Sequence, residues 1–361
     1  MINDLLKSKK VVIVCGTGGV GKTTLSAALA IQGARLGKNT LVITMDPAKR
    51  LATSLGLDAA SDSAQGESAL LGDEPLDLTD RLKAIDPTIP GSLHAIMPDT
   101  RSSFERFFKT LSPHPEKVDR LIQSPLFESF AKEFSGTNEY MAMKRLYLLN
   151  ESGRYDLIIL DTPPSRNTLG FLDAPKILSR LFEEKLIQWL VIPANKILAV
   201  GMRKVMGLLE KLTGSNFMTE LMSFAQSLFE VRFAFTENLK RVIALLESKD
   251  VGFVLAMNLT PDSWAEIEHF VESVRLHRFR FEGVLINRSI GDLAMSKNPE
   301  NDPGLDLIQK LQDREKSSMD QIRSKLGDQV LARLPELARD VHSIGDLMRI
   351  SVAMQGQSKT N

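Results

Sequence analysis

A short glycine-rich segment near the start of the chain restricts the fold more than any other feature. Its sequence is GTGGVGKTT, residues 16–24, and it lies between the apolar run Val11 to Cys15 and the alanine-rich stretch Leu25 to Leu36. The segment completes the G-x-x-x-x-G-K-[ST] pattern between a predicted buried strand and a predicted helix. The sequence therefore predicts a phosphate-binding loop in an α/β fold.

Chemistry explains each residue type in this loop. Glycines let backbone N–H groups surround phosphate oxygens where a Cβ atom would clash. The Lys22 ammonium can reach the β- and γ-phosphates, and the Thr23 hydroxyl can ligate Mg²⁺. The alternative is an ordinary glycine-rich turn with a solvated lysine. The motif therefore predicts a bound nucleotide with Mg²⁺, and the nucleotide-binding residues of the loop are Gly16, Thr17, Gly18, Gly19, Val20, Gly21, Lys22, Thr23 and Thr24.

Asp46 follows the second predicted strand, Thr40 to Thr44. Ligands of open α/β sheets bind outside the carboxyl ends of the strands, so Asp46 should face the bound phosphates. With Lys22 it is the predicted catalytic residue, because a carboxylate there can orient the attacking water or accept its proton. The alternative is that Asp46 caps the helix that follows.

Asp161 ends a continuous apolar strand that begins at Tyr155. This is the form of a Walker B strand, whose aspartate holds a Mg²⁺-bound water beneath the phosphate loop. The segment after it, Pro163 to Asn167, is predicted to sense the γ-phosphate.

Composition excludes several other classes of protein. The 361 residues include 45 basic and 45 acidic side chains, so no overall charge attracts nucleic acid, and we predict no nucleic-acid partner. Cys15 is the only cysteine, and the five histidines lack metal-ligand spacing, so we predict no zinc. The first ten residues lack an apolar signal core, and no apolar run has the length of a membrane helix. These features predict a cytoplasmic protein.

Two stretches do not fit a regular α/β alternation. These are a helical stretch predicted from Ser92 to Phe134 and a long helical segment predicted from Phe171 to Leu246. A short strand is predicted before them, at Leu82 to Ile85. The Met and Phe residues of the segment from Phe171 to Leu246 suit recognition of varied apolar segments of other proteins, although the pattern alone favours an ordinary hydrophobic core. The candidate client-binding residues are Met202, Met206, Met218, Met222 and Phe224.

Strands and helices alternate again after residue 246. The predicted strands are Val251 to Met257, Phe281 to Asn287 and Gln329 to Leu334. The Asn287 amide can read adenine through a donor and an acceptor together, but asparagine at a strand end is also a common turn former. The residues alone leave these alternatives open.

Six segments together resemble the arsenite-pump and tail-anchored-protein-targeting ATPases. In chain order they begin at residues 16, 46, 136, 161, 284 and 334, and they are GTGGVGKTT, DPAKRL, GTNEY, DTPPSRNTLGFLDAP, VLINR and LPELARDVHSIGDL. The resemblance implies a P-loop NTPase of the α/β class, with a mostly parallel central sheet flanked by helices. It implies one ATPase domain, with a core at about 1–57, 136–172 and 247–361, and an inserted helical subdomain at about 87–135 and 173–246.

The resemblance also implies roles for individual residues. Asp46 would position the hydrolytic water, Asp161 would open the second switch, and Asn287 with Pro335 would flank adenine. The helical subdomain corresponds to the region that forms a hydrophobic groove for membrane-helix clients in the targeting members. The implied switch residues are Asp46, Lys49, Arg50, Asp161, Arg166 and Asn167.

The predicted function is therefore that of a Mg²⁺-dependent ATPase whose nucleotide state controls a hydrophobic helical subdomain, for targeting or shielding membrane-protein segments. The alternatives are a transport-associated ATPase that energises a membrane partner and a slow nucleotide-dependent positioning switch. The implied partners are a second copy of the chain, in a nucleotide-dependent homodimer, and a hydrophobic client or a membrane protein.

The sequence departs from the family in its cysteines. The family's paired cysteines, which hold zinc between subunits in targeting members, and the arsenite-binding thiols of the pump members are absent, since Cys15 is the only cysteine. We therefore expect any dimer to form without a zinc clasp, and we expect no activation by arsenite.

A second departure lies within the phosphate loop, where Thr17 replaces the family's signature lysine. A threonine lacks the positive charge that this lysine brings to the nucleotide of the partner subunit. Because Lys49, Arg50 and Arg166 lie in the switch segments, we hypothesise that one of them supplies the charge. Changing that residue to Ala should lower ATP turnover in a steady-state assay, and three variants with wild-type turnover would exclude the hypothesis.

Overall fold

The computed structural model describes residues 1–45, 50–57, 74–98, 100–112, 122, 137–162, 172–174, 215–291 and 303–356. The elements below are numbered in chain order among these residues. The strands are β1 Val11–Cys15, β2 Asn39–Thr44, β3 Leu76–Asp77, β4 Ser92–Ile96, β5 Leu157–Asp161, β6 Val251–Asn258, β7 Phe281–Ser289 and β8 Val330–Pro335. The helices are α1 Ile2–Ser8, α2 Lys22–Arg35, α3 Arg50–Ser54, α4 Thr79–Ile85, α5 Thr100–Leu111, α6 Thr137–Glu151, α7 Ser215–Glu247, α8 Ser263–Leu276, α9 Pro303–Leu326 and α10 Ile344–Gly356.

The eight strands form one sheet in the order β3-β4-β2-β5-β1-β6-β7-β8. All neighbouring pairs are parallel except β3 and β4. Every residue of β1 and β5 is buried, as expected of parallel strands that are covered on both faces. The structure confirms the predicted α/β fold with a mostly parallel central sheet.

Strand β1 lies where the chain reverses its direction of travel across the sheet. The chain goes from β1 to β2 on one side, and after β5 it crosses β1 to place β6 on the other side. In open α/β sheets such a reversal leaves a crevice at the carboxyl ends of the two central strands. The glycine-rich segment begins at this point, directly after Cys15.

Helix α2 follows the glycine-rich segment and is buried almost completely. Every residue of α2 except Thr24 and Arg35 is buried, because the sheet lies on one side and α10 packs on another. A helix surrounded in this way needs apolar or small side chains on all sides, which explains its run of alanines. Its burial fixes the position of its first residue, Lys22.

Two sequence predictions in the first half of the chain are wrong. Residues 82–85, predicted as a strand, form the end of α4, which begins after the Asp77 carboxylate accepts a hydrogen bond from the Thr79 amide at 2.8 Å. Only Leu82 of α4 is buried, so the apolar residues do not line a strand face. Residues 92–96, predicted as helical and placed in the insertion, form β4, which pairs with β2. Alternating burial over only five residues gave too short a pattern to separate this strand from the helix that follows.

The chain divides into two compact units. The first comprises residues 1–98, 145–172 and 245–361, and the second comprises 99–144 and 173–244. The first unit contains the sheet. The described part of the second unit contains α5, the beginning of α6 and most of α7. The predicted subdomain ranges differ from this division most clearly at 87–98, which belong to the first unit.

Aromatic side chains form the core of the described part of the second unit. Phe107 and Tyr140 have ring centroids 5.7 Å apart, and Phe235 lies 5.8 Å from the first ring and 5.0 Å from the second. All three side chains are buried. These contacts join one helix from each of three separate stretches of sequence.

Helix α7 has one buried stripe among its described side chains, formed by Val231, Phe235, Leu239, Val242 and Leu246. Phe233 is 70% exposed, so the apolar residues of this helix do not all serve the core. Of the candidate client-binding residues, Phe224 is partly exposed on α7, whereas the side chains of Met218 and Met222 and the whole of Met202 and Met206 lie outside the described part. Among the described helices, none combines the length and the apolar character needed to cross a membrane.

Candidate functional site

The glycine-rich loop leaves β1 at Gly16 in a conformation that only glycine tolerates there. The φ angle of Gly16 is 153°, and a Cβ atom at this position would lie 2.2 Å from the Ala256 carbonyl oxygen of β6. The backbone therefore passes directly along β6 before it turns into α2. This close approach explains the first glycine of the motif by packing as well as by ligand chemistry.

Lys22 crosses the loop that precedes it. As the first residue of α2 it is buried, and its Nζ atom donates a hydrogen bond to the Thr17 carbonyl oxygen at 2.9 Å. The ammonium group thus lies across the same turn as the N-terminus of α2, where backbone N–H groups carry partial positive charge. This arrangement can bind an anion.

Asp161 joins three elements at the end of the central strands. Its Oδ2 atom accepts hydrogen bonds from the Thr23 hydroxyl of α2 at 2.7 Å and from the Thr44 hydroxyl of β2 at 2.8 Å. Asp161 is fully buried. Parallel pairing places Asp161 opposite Val14 and Thr44, which brings these side chains together. The sequence predicted Thr23 and Asp161 but not Thr44, whose only signal is its position at the end of β2.

These oxygen atoms fit a magnesium ion. A carboxylate and a hydroxyl 2.7 Å apart are ligand types that Mg²⁺ uses, with waters and phosphate oxygens as its remaining ligands. Among the described residues there is no group of three or more His, Cys, Asp and Glu side chains that could hold a metal ion by itself. The predicted lack of zinc remains a prediction.

Asn287, near the end of β7, contacts the loop from the side opposite to Asp161. Its Nδ2 atom donates a hydrogen bond to the Val20 carbonyl oxygen at 2.9 Å. Gly21 makes room for this contact, because a Cβ atom on Gly21 would lie 2.3 Å from the same nitrogen. The amide donor of Asn287 therefore supports the loop, and adenine recognition by Asn287 remains a prediction.

Asn258 is a further polar residue at this edge that the sequence analysis missed. It ends β6 and lies directly opposite Asn287 in the parallel register. Its Oδ1 atom is buried and makes no hydrogen bond within the described part of the chain. Pro335 ends the neighbouring strand β8, where it pairs with Ser289. The carboxyl ends of β6, β7 and β8 thus form one continuous ledge beside the loop.

Cys15 lies at the end of β1, immediately before the loop. It is fully buried, and this burial raises the pKa of its thiol to about 12 although the nearby Lys22 ammonium acts in the opposite direction. The thiol is therefore protonated at neutral pH. This agrees with the interpretation of Cys15 as a small buried residue.

Most of the predicted switch residues lie outside the described part of the chain. These are Asp46, Lys49, Arg166 and Asn167. Arg50 is described and forms the exposed beginning of α3. The roles assigned to the switch residues therefore remain predictions.

Comparison with known proteins gives a family and several relatives. A family model described as anion-transporting ATPase matches residues 9–356. "Putative arsenical pump-driving ATPase 2" of Aquifex aeolicus is 26% identical over 80% of this chain and 81% of its own length. "ATPase GET3" of Ajellomyces dermatitidis is 24% identical over 97% of this chain and 92% of its own length. A pump-driving relative from Prosthecochloris vibrioformis is 25% identical over 77% of this chain, which spans 61% of that protein.

Two glycines of the loop allow a matched test of the contact between Asn287 and the loop. Gly19 and Gly21 have φ angles of 85° and 88°, but a Cβ atom would meet nothing within 4 Å at Gly19 and the Asn287 amide at Gly21. Both Ala variants incur backbone strain of about 1–2 kcal/mol. Gly21→Ala should lower the free energy of unfolding by about 0.5–1.5 kcal/mol more than Gly19→Ala, because the new methyl group displaces the Asn287 amide and breaks its hydrogen bond to Val20. Urea denaturation without nucleotide measures this difference, and equal losses would contradict the contact.

Proposed function

Because the chain belongs to the anion-transporting ATPase family, we propose that it binds Mg²⁺ and ATP at residues 16–24 and hydrolyses the bond between the β- and γ-phosphates, which releases ADP and phosphate. The family match confirms both the predicted family and the predicted class of enzyme. The observation that carries the proposed site is the meeting of Lys22, Thr23 and Asp161 at the reversal point of a parallel sheet. This is the place where such sheets bind ligands.

The loop and α2 bind the phosphates in this proposal. Backbone N–H groups of the loop and the first turn of α2 donate to phosphate oxygens. The Lys22 ammonium exchanges its contact with the Thr17 carbonyl oxygen for a charge-assisted contact with the β- and γ-phosphates. Since Lys22 already lies across the loop, this exchange needs only a side-chain movement.

Thr23 and Asp161 would hold a magnesium ion, which when bound would neutralise negative charge on the phosphates. Thr23 would supply its hydroxyl oxygen as a ligand, and the Asp161 carboxylate would hold the ion through water. Thr44 keeps the Asp161 carboxylate turned toward α2 through its 2.8 Å hydrogen bond. Thr44 is thus an orienting residue for the metal side of the site.

Asp46 orients the attacking water and accepts its proton in this proposal. Its segment follows β2, whose last residue, Thr44, contacts Asp161. In the sequence, Asp46 is therefore two residues after Thr44, which contacts Asp161. Asn287 and Pro335, on the ledge beside the loop, are proposed to flank the adenine.

Nucleotide state is proposed to control the second unit, called the helical unit below, through the segments that connect it to the first unit. The segment after Asp161 leads into the second stretch of the helical unit, and β4 leads into α5. Contacts that form with the γ-phosphate and are lost with ADP would bias both connections. The exposed Phe233 and the partly exposed Phe224 support an apolar binding role for α7, together with the proposed client residues.

Two other roles remain alternatives to targeting or shielding of membrane-protein segments. A relative named for driving an arsenical pump favours an ATPase that energises a membrane partner. Thr17, in place of the signature lysine, favours a slow positioning switch. Turnover that rises only with membranes would favour the first alternative, and near-zero turnover with tight binding would favour the second.

A nucleotide-dependent homodimer is proposed on the family resemblance, and we propose a cytoplasmic location.

Removing the Lys22 ammonium should weaken nucleotide binding. Lys22→Ala should raise the Kd for Mg·ATP by about 10- to 100-fold, through loss of a charge-assisted contact, and should abolish turnover. Lys38 is a matched control, since its ammonium also donates hydrogen bonds to backbone carbonyl oxygens, those of Lys7 and Lys9. These residues lie at the amino ends of the strands, away from the proposed site. Calorimetric titration should show unchanged affinity in Lys38→Ala, and wild-type affinity in Lys22→Ala would contradict the site.

The coupling proposal predicts that apolar peptide binding depends on the nucleotide. A fluorescent apolar peptide should bind with affinities that differ by about fivefold or more between the ATP, ADP and nucleotide-free states. Lys22→Ala should remove these differences while it keeps the nucleotide-free affinity. Peptide affinity that is identical in all three states would contradict coupling, whatever the rate of ATP turnover.

A further inference from the structure

We propose that Glu315 is a positioning residue for the nucleotide site, since with Arg333 it clamps the end of β7 and so holds Asn287 against the phosphate loop. This inference rests on the proposed function, because the loop must be the nucleotide site for the clamp to affect binding. Glu315 lies on α9 and was not predicted from the sequence. It is buried, although it is a charged residue.

Three hydrogen bonds join this cluster to Ser289 and Ile290, just after Asn287, and a fourth joins Glu315 to Arg333. The Glu315 Oε2 atom accepts a hydrogen bond from the Ile290 amide at 2.8 Å, and Oε1 accepts one from the Ser289 hydroxyl. Arg333 of β8 donates from Nε to the Ser289 hydroxyl at 2.6 Å and from a terminal nitrogen to Glu315 Oε1 at 3.1 Å. The buried Glu315 carboxylate, the buried Ser289 hydroxyl and the partly buried Arg333 guanidinium thus form one hydrogen-bonded network.

The network explains how β7 directs two nearby polar side chains to different partners. Arg288 lies between Asn287 and Ser289, and its φ angle is 53°, a left-handed conformation that side chains other than glycine rarely adopt. The register with β8 shifts at the same place. This bend lets Asn287 contact Val20 while Ser289 contacts Glu315. Such a conformation persists only when contacts on both sides hold it.

An ion pair at the other end of β7 serves as a control. At the amino end of β7, Glu282 lies 2.6 Å from the Lys9 ammonium, and both side chains are largely buried. Glu315→Gln and Glu282→Gln make the same chemical change, and each removes the carboxylate charge of an ion pair located at one end of β7, the Glu315–Arg333 pair between α9 and β8 and the Glu282–Lys9 pair. Only the Glu315 pair is next to Asn287. A merely structural role would make the two variants equivalent.

The decisive readout is hydrogen–deuterium exchange of the peptide that covers residues 16–24, without nucleotide. Asn287→Ala and Glu315→Gln should each raise the exchange rate of this peptide by about 3- to 10-fold, the effect of one lost hydrogen bond. The double variant should exchange no faster than Asn287→Ala alone, because both changes release the same contact. Glu282→Gln should leave the rate unchanged.

The Kd for Mg·ATP should follow the same pattern in calorimetry, with Glu315→Gln and Asn287→Ala non-additive. Ser289→Ala is a milder second variant, since it removes the hydroxyl and leaves the Glu315–Arg333 ion pair, and it should change exchange and affinity in the same direction. If Glu315→Gln unfolds the protein, this variant decides the question.

Three results would overturn the inference. Loop exchange in Glu315→Gln or Ser289→Ala that equals wild type would show a structural role only, and so would effects that multiply with those of Asn287→Ala. Loop exchange that rises equally in Glu282→Gln would show general loosening of β7. Failure of the proposed function is separate, since wild-type protein that binds no Mg·ATP would contradict it even if the exchange pattern of the loop were as expected.

Discussion

The hydrogen bonds that Asp161 accepts from Thr23 and Thr44 are the interaction on which the arrangement of this protein's site depends. They connect the end of β5 to the start of α2 and to the end of β2, at the place where the chain reverses across the sheet. A buried carboxylate is costly unless hydrogen bonds compensate it, so these contacts also explain why hydroxyl residues stand at positions 23 and 44. The same oxygens are the proposed metal-side groups, so fold and function use one set of atoms.

A second contact, from the Asn287 amide to the Val20 carbonyl oxygen, holds the loop from the other side. In addition, the Lys22 ammonium donates a hydrogen bond to the carbonyl oxygen of Thr17, the residue that stands where the family has a signature lysine. The loop is therefore held at Val20 and at Thr23, and the Lys22–Thr17 hydrogen bond connects its two halves. A preorganised loop loses less conformational freedom when it binds phosphate, which favours both affinity and catalysis.

The sequence indicates the local parts of this candidate site and leaves its non-local parts unmarked. Lys22, Thr23 and Asp161 belong to short patterns whose spacing is fixed by one strand, one turn and one helix, so the residues alone indicate them. Thr44, Glu315 and Arg333 reach the site only through sheet register and helix packing, and no short pattern marks them. The same limit explains the error at residues 92–96, where a five-residue strand beside an apolar helix was interpreted as helix. Asn287 was found, but a contact 267 positions away in the chain set the partner of its amide donor.

A crystal structure with Mg²⁺ and a non-hydrolysable ATP analogue tests the central claim most directly. We expect the triphosphate to lie within residues 16–24, with the Lys22 ammonium moved from the Thr17 carbonyl oxygen to the phosphates and the metal beside Thr23 and Asp161. The Asn287 contact with Val20 should remain. A nucleotide bound elsewhere, or a loop that holds the analogue while Lys22 still contacts Thr17, would contradict the account.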